Sequence, residues 1–192
     1  PAAVSVTSGM NAVAHAVEAL YAPDASPVVD LMAEEGVRAL AAALPDLVAD
    51  GTDLDARARA QYGAWLCGAC LGATTMSLHH KLCHALGGTL DLPHAPTHTV
   101  VLPHALAHNQ VAAPQAVAAL GRALGTSTDP AGELPGRVGA PRSLRELGMA
   151  ESDIDRIVRV TLANPYANPR EVTAEGLGRL LRAAWSGQPP AA

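Results

Sequence analysis

The chain has no phenylalanine, a single lysine, and only two tryptophans and three tyrosines among its 192 residues. An interior with so few rings has to be closed by alanine, leucine and valine. Alanine loses almost no side-chain entropy in a helix and lets helices approach closely, so this shortage favours a helical fold without excluding a sheet. Basic runs are also missing. Thirteen basic residues stand against eighteen acidic ones, for a net charge of −5, and Arg and Lys do not alternate with aromatics. That argues against a nucleic-acid surface. No stretch holds eighteen uninterrupted apolar residues and no charged leader precedes an apolar core. The expectation is therefore no membrane span, no export and a cytoplasmic location. Neither G-x-G-x-x-G after a strand nor a Walker-type phosphate loop occurs, so nucleotide chemistry would need a further part. Cysteine is scarce. Cys67, Cys70 and Cys83 form an odd set that fits a reducing compartment. Cys67 and Cys70 form a C-x-x-C pair inside an apolar helical run, where small buried residues are expected rather than a redox pair. Cys83, beside His84, reads the same way.

What is present is mostly helical pattern. Thr7 and Ser8 are candidate N-caps for a first helix ending near Pro23. Ser26 with Pro27 marks the start of a second, which Pro45 should kink or split. From Asp53 to Gly88 the pattern suits one long helix or two in succession, with Gly87-Gly88 as its stop. Its middle is apolar all round, which predicts a central place in a bundle, with Gly63, Gly68, Ala69, Gly72 and Ala73 admitting close neighbours. The following segment is proline-punctuated, with "THTVVL" (97–102) as a short extended candidate. Further helices are expected over 103–124, 151–163 and 173–185, with an exposed connection over 125–141.

Residues 78–109 contain seven of the eight histidines and the one lysine, Lys81. Asn11 with His15, His80 with His84, and His104 with His108 have the i, i+4 spacing that shares a helix face. His94 and His98 have it too, within the proline-rich segment. Two imidazoles plus a carboxylate or amide from separate elements are what a first-row divalent metal takes. His80 and His94 flank the Gly-Gly pair, where a chain reversal would bring them together. His15 shares a face with Asn11 on an otherwise apolar helix, where an unpartnered polar group is costly. His84, one turn from His80, suits a proton donor or substrate contact. His79 points to another face and reads as a supporting residue, and His98 is open between the two roles. His104 and His108 read as partners of neighbouring helix ends. Lys81 is turned about 100° from His80 by the helical geometry, which predicts a solvent-facing side chain.

"SGMNAVAHAVEALYA" together with "LHHKLCHALGGTLDLPHAPTHTVVLPHALAHN" resembles the C-terminal helical half of the iron-containing (group III) alcohol dehydrogenases, and within them the maleylacetate reductase branch. The closing "NPYANPREVTAEGLGRLLRAAW" is similar to that family's last segment. The resemblance implies an all-α bundle over 1–192, the C-terminal domain of the dehydroquinate synthase-like fold, without the N-terminal domain that binds NADH or NADPH. It implies that Asn11, His15, His80 and His94 occupy the metal-ligand positions for Fe²⁺ or Zn²⁺, and that His84 borders the substrate. Alcohol dehydrogenases have a carboxylate where this chain has Asn11, which weakens the metal site and leaves no fixed negative charge near the substrate. The implied activity is reduction of the C=C bond of maleylacetate, a dicarboxylate, to 3-oxoadipate in aromatic-compound breakdown, with His84, His80 and His94 as the catalytic groups and a homodimer as the assembly. The alternatives are a metal-dependent alcohol dehydrogenase and, in a different class, a non-catalytic helical metal-binding or interaction fragment.

Overall fold

The computed structural model describes residues 1–125 and 140–190. Among them are eight α-helices and no strand: α1 (Ala2–Ala19), α2 (Pro27–Ala49), α3 (Leu54–Ala73), α4 (Leu78–Leu90), α5 (His94–Asn109), α6 (Pro114–Leu124), α7 (Ile154–Leu162) and α8 (Ala174–Ser186). Most of the connection expected over 125–141 lies outside the described residues.

Local chemistry accounts for most helix starts. The Ser26 side chain accepts from the Val29 N–H with Pro27 in the first turn, Asp53 accepts from Asp55 and Ala56, and Thr173 accepts from Gly176. Each satisfies N–H groups that a helix start leaves unpaired. Several expectations need correction. Thr7 and Ser8 are not caps, because α1 begins at Ala2 and Thr7 Oγ1 instead donates to the Ala3 carbonyl within the helix. Pro45 does not end α2, which continues to Ala49. The 53–88 pattern resolves into two helices, α3 and α4. Gly87-Gly88 is not the stop: α4 runs to Leu90 and closes on Asp91 in the left-handed region (φ 54°). "THTVVL" is not extended but lies in α5, which starts at His94, nine residues before the expected start, and passes through Pro103. Proline lacks only one N–H, and tertiary packing on both sides of α5 outweighs that loss.

The helices enclose two apolar cores. One gathers α1, α2, α3 and α6 around Met10, Val13, Val17, Leu40, Leu44 and Leu120. The other gathers α4, α7 and α8 around Leu78, Leu82, Leu86, Ile157, Leu177 and Leu181. Helix α5 belongs to both. Leu102 and Leu106 face the first core, while Val100, Val101 and Ala105 face the second. It is buried on nearly all sides after its first turn, with Thr97, His98, Thr99, His104 and Asn109 enclosed along with its apolar residues.

The central place expected for α3 is only half realised. One face packs on α2, but Tyr62 and Trp65 on the other are 50% and 68% exposed. The glycines divide the same way. A Cβ on Gly63 would lie 2.9 Å from the Gly36 carbonyl oxygen, and one on Gly36 would lie 2.8 Å from Cys67 Sγ, whereas Gly68 and Gly72 have nothing within 4 Å. Gly63→Val therefore forces α2 and α3 apart and destabilises by about 1–3 kcal/mol. Gly68→Ala, mid-helix and uncrowded, stabilises by about 0.5–1 kcal/mol. Urea denaturation of the two variants checks both signs; equal effects would mean that the α2–α3 approach is not close.

Cys67 and Cys70 are free, buried thiols, and burial pushes Cys67 up to about 12. Cys70 Sγ lies 3.7 Å from the Val29 carbonyl oxygen. Both therefore act as small core residues. No helix among the described residues is long and apolar enough to cross a membrane.

Candidate active site

The second half of α1, the first turns of α4 and the first turn of α5 meet between the two cores. On α1 the spacing 11, 15, 18 puts Asn11, His15 and Glu18 on one face, in a helix otherwise apolar at Ala12, Val13, Ala14, Ala16, Val17 and Ala19. Helix α4 brings His79, His80, Cys83 and His84, and α5 brings His94 and His98.

His80 is the hub. Its ring centroid lies 5.1 Å from those of His15 and His98, 5.2 Å from His79 and 6.3 Å from His84. His98 extends the array to His94 at 4.3 Å, so the two histidines flanking the glycine pair are joined through a third. His79 Nε2 and His98 Nδ1 share a hydrogen bond of 3.0 Å. His79 and His98 are buried, whereas His84 and His94 are exposed and form the open edge of the cluster.

Burial and mutual repulsion disfavour the charged form of four of these rings, His15, His79, His84 and His98. Burial, then repulsion from His80 and His94, lowers His15 to about 4. The same causes, with His15 and His84 added, bring His98 to about 2. His79 is pushed well down by burial and then by His98 and His80. Partial burial, then His80, His94 and Lys81, lowers His84. Removing water from a charged imidazole and adding like charges beside it act in the same direction.

Sequence reasoning missed Glu18. It is fully buried, and its two oxygens receive five donors. Oε2 accepts from the Ser77 N–H at 2.8 Å, the His80 N–H at 3.3 Å and His80 Nδ1 at 2.8 Å. Oε1 accepts from the His79 N–H at 2.8 Å and from Tyr21 Oη at 3.3 Å. The argument that singled out His15, a polar group on an apolar helix face, applied equally to Glu18 one turn later. Its presence corrects the expectation that no fixed negative charge lies near the site. The charge is there, but every donor around it is turned onto its oxygens.

Helix α4 has no side-chain cap of its own. Glu18 takes the N–H groups of Ser77, His79 and His80, and Asn168 Oδ1 takes that of Leu78 at 3.3 Å. All four donors at the helix start are thus satisfied from distant parts of the chain. Asn168 is in turn locked to Asn109 by reciprocal amide bonds of 2.9 and 2.7 Å.

Of the other residues considered, His104 and His108 fall outside the cluster, while Lys81 and Cys83 border it. His104 is buried with Nδ1 unpartnered and burial lowering it to about 4, so it does not bond a helix end through that nitrogen. His108 meets the backbone of Glu171. Lys81 is not simply solvated, since its Nζ lies 5.7 Å from the centre of the Tyr166 ring. Cys83 is buried, with Sγ 3.8 Å from His79 Nε2.

Asn11 Oδ1, His15 Nδ1 and His80 Nε2 are buried without a hydrogen-bond partner, which is donor chemistry a divalent ion accepts. The spacing does not complete such a site. Among the described residues the one trio of His, Cys or acidic ligand atoms within 4.8 Å of one another is His79, Cys83 and His98, and its two imidazole nitrogens already bond each other. With a neutral amide at position 11, the residues at the metal-ligand positions do not form a ready cation site.

Residues 5–185 match the family model described as Fe-containing alcohol dehydrogenase family, C-terminal. The chain belongs to the iron-containing alcohol dehydrogenase family. Its helical architecture is the C-terminal half of that family's fold. The chain is 53% identical to the maleylacetate reductase of Pseudomonas sp. (strain P51), over 99% of its own length and 54% of that protein. It is 54% identical to the maleylacetate reductase of Pseudomonas knackmussii, over 100% and 55%. It superposes on the crystal structure of maleylacetate reductase from Rhizobium sp. strain MTP-10005 with a TM-score of 0.95 at 48% identity, covering 99% of this chain and 55% of that one. The chain thus spans about half the length of the curated relatives it matches.

Proposed function

We propose that this chain is the helical half of an NADH- or NADPH-dependent reductase that converts maleylacetate to 3-oxoadipate. The observation that carries this reading is the combination of a neutral Asn11 with a cluster of imidazoles, among which His15, His79 and His98 resist protonation, that opens at His84 and His94. Such a site welcomes a doubly negative substrate, since no unpaired carboxylate opposes it and each imidazole gains a proton more readily beside an anion. The identity to maleylacetate reductases supports the same substrate.

A reduced nicotinamide bound outside this chain would supply a hydride to the carbon β to the substrate ketone. Negative charge then develops on the ketone oxygen, and the resulting enolate takes a proton at the adjacent carbon. At the exposed edge of the cluster His84 gives the proton and His94 lines the space around the oxygen, with the buried His80 ring 6.3 Å from that of His84. Partial burial, then His80, His94 and Lys81, hold His84 below its ordinary value in the free site, and a dianion beside it favours the charged form. No step passes through a metal.

In the longer protein that carries this chain, His84→Gln lowers kcat for maleylacetate-dependent NADH oxidation by about 10²–10⁴-fold, and exhaustive chelation leaves the unmodified enzyme active. Loss of activity on chelation, restored by Fe²⁺ or Zn²⁺, would overturn the metal-free reading. Preference for simple alcohols would establish the alcohol dehydrogenase alternative, which the three unpartnered atoms of Asn11, His15 and His80 favour.

A further inference from the structure

We propose that His79, Cys83 and His98 form a Zn²⁺ site that ties α4 to α5, separate from the positions of Asn11, His15, His80 and His94. His79 and Cys83 are four residues apart on α4 and share a face, which α5 meets with His98. One donor atom from each of the three lies within 4.8 Å of the other two. His79 Nε2 is 3.0 Å from His98 Nδ1 and 3.8 Å from Cys83 Sγ. Around a tetrahedral ion, bonds of about 2.0–2.1 Å to nitrogen and about 2.3 Å to sulfur set those separations at about 3.4 and about 3.6 Å. Small shifts of the side chains therefore bring the donors into place. The donor set also selects the ion. A thiolate with two imidazoles suits Zn²⁺, ahead of Fe²⁺ in affinity, whereas Mg²⁺ and Ca²⁺ take oxygen ligands.

Binding releases one proton, that of the Cys83 thiol. Burial and then Glu18 push this thiol well above its ordinary value in the free protein, but a coordinated thiol is deprotonated outright. The hydrogen between the two imidazoles moves to the outer nitrogen of its own ring. Those outer nitrogens, His79 Nδ1 and His98 Nε2, have no other partner to oppose the change. The buried Glu18 charge completes the balance: Zn²⁺, one thiolate and one carboxylate leave no net charge in the interior. The ion clamps two helices and does not meet substrate, because its three ligands are buried while His84 and His94 form the open edge. Its presence is compatible with turnover that survives chelation, and it does not depend on which substrate the site takes.

The test is titration of the metal-free longer protein with Co²⁺, which occupies zinc sites and reports its ligands by absorption. The expected spectrum has the near-ultraviolet band of a cobalt–thiolate bond and the strong visible bands of a four-coordinate ion, both abolished by added Zn²⁺. Cys83→Ser and His98→Gln, each checked for folding by circular dichroism, lose the thiolate band at the same Co²⁺ concentration. Zn²⁺ raises the melting temperature of the unmodified protein and not that of Cys83→Ser, since only the former binds it in the folded state. Asn11, His15, His80 and His94 contribute no sulfur. Bound Co²⁺ without a thiolate band therefore places the ion at those positions and overturns the proposal. A thiolate band that persists undiminished in either folded variant also overturns it. So does absence of the band in unmodified protein, both after equilibration and after refolding from urea with Co²⁺ present, a result that stands even where neither variant folds.

Discussion

Between pH 6 and pH 5 the folded chain loses about 5 kcal/mol of stability, because unfolding releases four imidazoles that the native state keeps uncharged. His15 and His104 are lowered to about 4, His98 to about 2, and His79 well below its ordinary value, each chiefly by burial. In the unfolded chain all four take a proton near 6.5. At pH 5.5 the unfolded state therefore binds nearly four more protons than the folded one, and each is worth about 1.4 kcal/mol per pH unit. Stability is full above 6.5, falls as the pH drops, and goes on falling until the folded rings themselves protonate, near 4 for His15 and His104 and lower for His98. A loss of this size approaches the whole stability of an ordinary domain, so acid unfolding is expected near pH 5. Urea denaturation at half-unit steps from pH 7 to 5 measures the slope directly. His104→Leu, which lies outside the imidazole cluster, removes one proton from it while leaving the other three. A stability flat across that range would mean that the rings find water or partners in the native state.

Asn11→Asp should reverse the character of the site. Asn11 Oδ1 is buried and unpartnered, one helical turn before His15, and His15 Nδ1 and His80 Nε2 are buried and unpartnered too. A carboxylate placed there has no donor to satisfy it and draws in positive charge, either protons on the imidazoles or a divalent cation. At about 4 Å and an effective dielectric near 20, a unit charge contributes roughly 4 kcal/mol. Zn²⁺ affinity is therefore expected to rise by about 100-fold or more, while kcat/KM for the maleylacetate dianion falls by about 10–100-fold from like-charge repulsion. Calorimetric titration with Zn²⁺ and steady-state NADH oxidation read the two effects. If the substitution changes neither, the amide is not what sets the charge of this site, and the argument for an anionic substrate fails with it.

These two predictions draw on different parts of the chain's legibility. The site was readable in outline because imidazoles are rare in an apolar helix and helical spacing is regular. Asn11 and His15 do share a face, and His80 does stand at the centre of the cluster. Sequence pattern failed where a residue's partner lies far along the chain. Nothing near Ser77 reveals that α4 is capped from Glu18 and Asn168, residues about 60 positions before it and 90 after it. Nor does "THTVVL", with its β-branched run just before Pro103, look helical by itself.

Alanine abundance, the Ser26 cap and the phases of apolar side chains were enough to favour a helical fold, though not to exclude a sheet, and to mark the imidazoles as the chain's chemistry. These are local effects, felt within a turn or two. The path of α5, the division into two cores and the role of Glu18 belong to packing. Helix α5 persists through Pro103 because both of its faces are buried against different cores, a gain larger than one lost hydrogen bond. Glu18 tolerates burial only because three N–H groups of another helix, an imidazole and a phenol converge on it, and that convergence exists only once α1, α4 and α5 have met.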